Sequence, residues 1–190
     1  MQFQESQQAG RVTTHPTVFL SYTHDTEEHC QAVLEFAGFL KGNGITVLID
    51  RWAGVSRRDW QLWSQRNIPG ADYIIVVASE VYRRVGDGDS TYDRNRGGQW
   101  EVALLRDALQ ENRPKWTEKI LPVILPGHGI DGIPRFLQPH AADRYEVTSF
   151  TVAGAEPLLR VLTGQPGHIA PPLGPLPHLP PRSGPGAKPT

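Results

Sequence analysis

Residues 17–50 read TVFLSYTHDTEEHCQAVLEFAGFLKGNGITVLID, and this stretch decides the fold. Thr17–Tyr22 is a short β-branched and aromatic run after Pro16, the signature of a buried strand. It ends in Thr-His-Asp-Thr-Glu-Glu at 23–28, where helix-capping residues are followed by acids that complement the helix dipole. Cys30, Val33, Leu34, Ala37 and Leu40 then recur at helical spacing, which predicts an amphipathic helix over 26–41 with Cys30 as a small buried hydrophobe. Gly42-Asn43-Gly44 tolerates the left-handed backbone that stops a helix. Ile45–Asp50 is the second strand.

The unit repeats downstream. Arg51–Arg58 is a loop, and Ser56-x-x-Asp59 resembles a capping box before a helix over 59–67 that Pro69-Gly70 closes. Asp72–Ala78, DYIIVVA, is a near-continuous apolar strand of the kind buried on both faces. A long polar loop over 82–98 precedes a helix over 99–111. KILPVIL at 119–125 is a fourth strand whose Pro122 indicates a bulge or a place near the sheet edge. Residues 143–147 form a short fifth strand, and a last helix over 150–162 starts near Glu156 to accommodate Pro157.

Five strands alternating with helices imply a parallel sheet covered on both sides, with right-handed crossovers. At this size the expectation is a flavodoxin-like, three-layer α/β/α fold with strand order 2-1-3-4-5. Ligands of such sheets bind outside the carboxyl ends of the strands, where the order reverses. That rule gathers Ser21–Asp25, Asp50–Arg58 and Ser79–Trp100 around one crevice, with Tyr22, Asp50, Trp52, Trp60 and Trp100 near it.

The 190-residue chain holds one ordinary domain with appendages. We expect a disordered arm over 1–15, the domain over 16–164 and a disordered tail over 165–190. That tail carries nine of the 17 prolines. Its segment 171–182, PPLGPLPHLPPR, favours polyproline II and offers an SH3-type ligand, although a linker is the more economical reading. Residues 1–165 hold 17 basic and 20 acidic side chains, a poor balance for nucleic-acid binding. No apolar run approaches the ~20 residues of a membrane helix, and no secretory h-region is visible. The single cysteine supplies neither a disulfide nor a Cys-rich zinc site, and His24 and His29 bring no third ligand. The expectation is a soluble cytoplasmic protein without metal, membrane or nucleic acid.

Several chemistries fail on these residues. A phosphoacceptor domain needs an acidic cluster after the first strand and an Asp ending the third; Asp25 stands alone and the third strand ends in Ala78-Ser79. No G-x-G-x-x-G follows the first strand, and no P-loop is present. Ser21 and Ser79 have no identifiable base for a Ser-His-Asp triad. Simpler readings stand beside the functional ones. Glu101 at a helix start stabilises the dipole by ~0.3–1 kcal/mol without any catalysis. Trp60 and Trp63 suit core packing, the better reading for Trp63, and Asp50 suits a loop cap.

The order of motifs also resembles a known family. VFLSY at 18–22, GITVLID at 44–50, Asp59-Trp60, GADYIIVVAS at 70–79 and WEVALL at 100–105 are similar to the SEFIR domain, a relative of the Toll/interleukin-1 receptor (TIR) domain. The resemblance covers about 16–163. The compact frame and Pro-rich tail look like bacterial signalling or conflict proteins.

That resemblance implies two unlike activities. Some TIR-family domains cleave NAD+ at the nicotinamide–ribose bond with one glutamate at the start of the third helix, the position of Glu101. It further implies Tyr22, Thr23, Trp60 and Trp100 as substrate-binding residues, with Trp60 packing on the nicotinamide. NAD+ is then a substrate, and no resident cofactor is expected. Thr23 stands where many catalytic relatives carry a basic residue, leaving Arg57, Arg58 or Arg96 as the available cations. The second implied activity is homotypic association through the second-strand loop and the long third loop, with Trp52, Val55, Arg57 and Arg58 at the interface and a homo-oligomer on activation.

Overall fold

The computed structural model describes residues 15–89 and 96–180; the side chain of Arg96 is not among what it describes. Five strands, β1 (Thr17–Ser21), β2 (Thr46–Leu48), β3 (Tyr73–Val77), β4 (Ile120–Ile124) and β5 (Tyr145–Glu146), form one parallel sheet in the order β2-β1-β3-β4-β5. The expected architecture and strand order are both observed. Alternating side chains divide the core in two. Val18, Leu20, Ile75 and Val123 pack on α1 (Glu27–Gly42) and α6 (Glu156–Thr163). Phe19, Ile74, Val76 and Ile124 pack on α2 (Trp60–Gly70), α3 (Glu80–Asp87), α4 (Arg96–Glu111) and α5 (Arg113–Lys119).

Local chemistry explains where the helices begin. Thr26 caps α1 by accepting from the His29 amide, and Cys30 is buried on its inner face, as read. Asp59 caps α2 itself, accepting from Leu62 N at 3.0 Å, so Ser56 does not begin a capping box. Pro69 lies inside the last turn of α2 and does not end it earlier. β2 is shorter than its apolar run, because Asp50–Trp52 turns into a 3₁₀ helix. Pro157 sits in the first turn of α6, which starts at Glu156 as expected.

Three expectations need correction. Residues 80–87, read partly as loop, are helical: Ser79 accepts from Tyr82 N at 3.0 Å, and Tyr82 and Val85 face the core. Helix α4 starts at Arg96, three residues before the expected Gln99. Helix α5 was not expected; Asn112 caps it and Trp116 anchors it. The rest of the long loop, 90–95, lies outside the described residues.

Pro122 is accommodated by strand polarity. Val123 O accepts from Ala78 N on the β3 side and Ile124 O accepts from Val147 N on the β5 side, so Pro122 turns its nitrogen toward β5. There β5 pairs only with Val123 and Ile124, and no ladder bond is lost.

Residues 1–14 of the expected arm and 181–190 of the tail lie outside the described residues. His15 donates from Nδ1 to Gly44 O at 2.7 Å. Residues 165–180 form no helix or strand. Among the described residues, no helix is long and apolar enough to cross a membrane.

Candidate functional site

A crevice of about 630 Å³ opens at the carboxyl ends of β1 and β2, beside the β1/β3 boundary where the strand order reverses. Its walls include Tyr22, Asp50, Trp60, Trp63, Ser64, Trp100 and Glu101. The topology explains the gathering. Ser21 has the same side-chain parity as Phe19 and so faces α4, whereas Tyr22 faces the α1 layer. On α2, Trp60 and Ser64 are one turn apart and share the face turned to the crevice.

Glu101 sits in the second turn of α4, since that helix begins at Arg96. Dipole compensation acts mainly in the first turn, so the plain helix-start explanation loses most of its force. The carboxylate is instead held by two hydroxyls. Ser21 Oγ donates to Oε2 at 2.6 Å, and Ser64 Oγ donates to Oε1 at 3.1 Å. Ser21 has one proton, so the Tyr82 hydroxyl, 2.8 Å away, must donate to Ser21. Tyr82, Ser21 and Glu101 thus form a one-way chain of donors ending on the carboxylate. Burial pushes the Glu101 pKa up to about 7, although the two serine hydroxyls oppose the rise.

A second network lines the opposite wall. Tyr22 OH donates to Asp50 Oδ1 at 2.8 Å, and His24 Nε2 lies 3.0 Å from Oδ2. The Asp50 hydrogen bond raises the His24 pKa above its ordinary value, favouring imidazolium. Burial pushes the Asp50 carboxyl up, but the bonds from His24 and Tyr22 outweigh it and hold the group below its usual value. Burial, then the Asp50 charge, raises the Tyr22 phenol well above the ordinary tyrosine value.

The expected site residues separate as follows. Glu101, Tyr22, Thr23, Trp60 and Trp100 all line the crevice. Trp60 is 45% exposed, and the Trp100 indole donates to Gln61 O at 3.2 Å. Thr23 is only 2% exposed, and its hydroxyl bonds Asp25 at 2.5 Å and Ser79 at 3.0 Å. Of the interface candidates, Val55 is fully exposed and Arg57 is exposed. Arg58 lines the crevice, its guanidinium 5.7 Å from the Trp60 ring centre. Trp52, read as beside the crevice, is not part of its lining; Lys41 of α1 lies 5.3 Å from its ring centre.

Sequence reasoning missed Ser64, Tyr82 and the use of Ser21 as a donor, and it assigned Trp63 to the core alone. Trp63 does both, packing on Phe19 at 5.2 Å between ring centres while lining the crevice. The only legible signal was Ser64 one turn beyond Trp60. His24 and His29 do not converge, since His29 pairs with His128 at 3.2 Å. Among the described residues, no group of three or more His, Cys, Asp or Glu could hold a metal ion.

A parallel α/β/α domain with its crevice at the β1 switch point belongs to the flavodoxin-like class, in the variant shared by TIR and SEFIR domains. The SEFIR domain model matches residues 16–149, and the chain belongs to that family. The crystal structure of a prokaryotic SEFIR domain superposes with a TM-score of 0.57 at 22% identity, over 84% of this chain and 99% of that one. The SEFIR domain of IL-17 receptor B gives a TM-score of 0.53 at 16% identity, over 77% of this chain and 96% of that one. At those identities the likeness concerns the fold. The protein is a SEFIR signalling domain related to the TIR fold, a family that mediates homotypic interactions.

Proposed function

We propose that this SEFIR domain self-associates and, in the assembled state, hydrolyses NAD+ to nicotinamide and ADP-ribose through Glu101. The observation that carries the reading is one carboxylate, fixed by two hydroxyl donors, on the wall of a crevice that also presents three indoles. The chemistry asks little else. The nicotinamide ring of NAD+ is cationic and leaves as a neutral base, so its departure needs no proton. Positive charge develops on the ribose, and a preorganised carboxylate stabilises that oxocarbenium character. Water then adds to the anomeric carbon and releases one proton. Two carboxylates, as in ordinary glycosidases, are not required.

The raised pKa fits such a role. Burial brings the Glu101 carboxyl to about 7. A cationic ring in contact would favour the ionised form, so substrate itself readies the carboxylate. Indole faces at Trp60, Trp63 and Trp100 suit a flat cationic ring. We assign the activity to a bacterial stress or defence pathway, on the likeness of the compact frame and tail to bacterial conflict proteins.

Exposed Trp52 and Val55 on the second-strand loop favour association through that loop, with Arg57 and Arg58 beside them. The deciding assay incubates concentrated protein with NAD+ and measures nicotinamide, wild type beside Glu101→Ala. Release by the wild type that falls by ~10²–10³ in the variant is expected. Equal release from both, or none from either at concentrations where the protein is assembled, overturns the enzymatic reading.

A further inference from the structure

The Pro-rich tail is unexplained by the domain itself. From Ile169 to Leu179 its large apolar side chains stand open to solvent: Ile169 is 86% exposed, Leu173 102%, Leu176 95% and Leu179 81%. A linker needs only to stay soluble, and flexible linkers are commonly built from Gly and Ser. Here three leucines recur at every third position, separated by prolines at 175 and 177 and flanked by prolines at 171, 172 and 180. Polyproline II has three residues per turn, so Leu173, Leu176 and Leu179 would fall on one face as an apolar stripe. Such segments dock in grooves lined by aromatic rings.

The crevice at Glu101 has that character. Three indoles and the Tyr22 ring line it, and its acids Asp50, Asp59 and Glu101 outnumber the cations His24 and Arg58. Residues 166–190 contain no acid and carry His168, His178, Arg182 and Lys188, so the charges are complementary.

Geometry favours a second molecule over the same one. Arg160 fixes the point of exit, donating to Gln165 O at 3.3 Å and Pro166 O at 3.4 Å. Thr163 and Gln165 line a separate cavity with Pro16, Ile45 and Asp72, at the amino ends of the strands. The tail therefore leaves from the end of the sheet opposite the crevice. The eight steps from Gln165 to Leu173 span roughly 25 Å as polyproline II, enough to carry the leucines away from the exit point toward a neighbour.

We propose that the segment 171–180 of one copy docks its leucine face in the aromatic crevice of another copy. The contact is head-to-tail and uses different surfaces on the two partners, so it builds a ring or an open chain rather than a symmetric pair. It also competes with any small ligand at Glu101. This contact is distinct from association through the second-strand loop: it occludes the crevice and so opposes NAD+ entry, and it does not depend on NAD+ cleavage.

The test uses the full chain carrying Leu173→Ser, Leu176→Ser and Leu179→Ser, so that its own tail is silent. A synthetic peptide of residues 168–182, which contains no tryptophan, is titrated against its indole fluorescence. A saturable shift is expected, at least about tenfold weaker for the peptide with the same three serines, and lost when Trp60→Ala is added to the chain. Trp60 is 45% exposed, so its removal leaves the core intact. No saturable shift up to millimolar peptide, equal binding of both peptides, or a shift that survives Trp60→Ala overturns the proposal. A tail that serves a foreign groove gives the first of these results. Nicotinamide release plays no part in the readout, so failure here and failure of the NAD+ reading remain separate.

Discussion

Ser21 on β1 and Glu101 on α4 are eighty positions apart in sequence, yet Ser21 Oγ stands 2.6 Å from Glu101 Oε2. This bond ties the inner strand β1 to the helix that carries the acid. It also sets the direction of every proton behind it, since Tyr82 must donate to Ser21 for Ser21 to donate to the carboxylate.

Removing either serine should raise the Glu101 pKa further. A hydrogen bond to a charged group contributes ~1.5–3 kcal/mol, which is roughly one to two pKa units. Ser21→Ala and Ser64→Ala should each move the Glu101 carboxyl above its starting value of about 7. The shift is read from the side-chain carbonyl carbon by NMR titration. If NAD+ is cleaved, the acid limb of kcat/KM should move by the same amount, because that ratio reports the free enzyme. An unchanged titration would mean that the serines do not bond the ionised form.

The opposite wall gives a second test. Asp50 is the main cause of the raised His24 pKa. Asp50→Asn should return His24 toward the ordinary histidine value, seen in the ring-proton NMR titration. Because the His24 value is raised and the Asp50 value lowered, the pair stabilises the fold between the two, losing that contribution as pH rises through the His24 pKa or falls through that of Asp50. The wild type should therefore lose part of its advantage over Asp50→Asn at either limit. The imidazole side chain is 54% exposed, so the change should be modest.

Most of the architecture was legible because each layer repeats a local rule. Thr17–Ser21 and Tyr73–Val77 are apolar on both faces, as central parallel strands must be, and α1 carries its own cap and stop. The elements that escaped are short. Helix α3 buries only Tyr82, Val85 and Gly86 among charges, and α5 buries only Trp116, so neither shows a sustained period. At the site, topology placed Tyr22 and Trp60 near the crevice, and the resemblance to SEFIR and TIR domains added Glu101. Ser64 and Tyr82 were invisible because their roles depend on single side-chain pairings across the core, which leave no pattern in one sequence.

Gly132 tests how α3 is held. A Cβ there would stand 2.8 Å from Ser79 N, the backbone of the residue that caps the helix and accepts no displacement cheaply. Gly132 O also accepts from that amide at 3.1 Å. Gly132→Ala should cost about 1–3 kcal/mol in urea denaturation, as overpacking against fixed atoms does. A variant as stable as the wild type would show that the loop yields freely.

Charge reversal at the second-strand loop tests assembly independently of the tail. Arg57 is exposed, and Arg58 is half-buried against Trp60. Rim charges act chiefly on encounter rates and salt dependence. Arg57→Glu with Arg58→Glu should weaken concentration-dependent light scattering, most clearly at low ionic strength. A protein that stays monomeric at every concentration would count against the association reading itself.

Glu101 should also limit stability at alkaline pH. Its folded-state pKa of about 7 exceeds the unfolded value of 4.5, a gap worth up to roughly 3 kcal/mol. For a carboxyl raised in this way, the favourable contribution of the neutral form is complete below pH 4.5 and disappears as pH rises through 7. Glu101→Gln keeps the shape and stays neutral at every pH. Relative to its standing at pH 4, the variant should gain on the wild type by up to roughly 3 kcal/mol at pH 8.5, measured by urea denaturation at both values. Partial solvent access at the crevice will reduce that figure without changing its sign. A difference between the two proteins that is the same at pH 4 and pH 8.5 would mean that the carboxyl is solvated like a surface acid. It would then lack the desolvation on which its proposed response to a cationic ring depends.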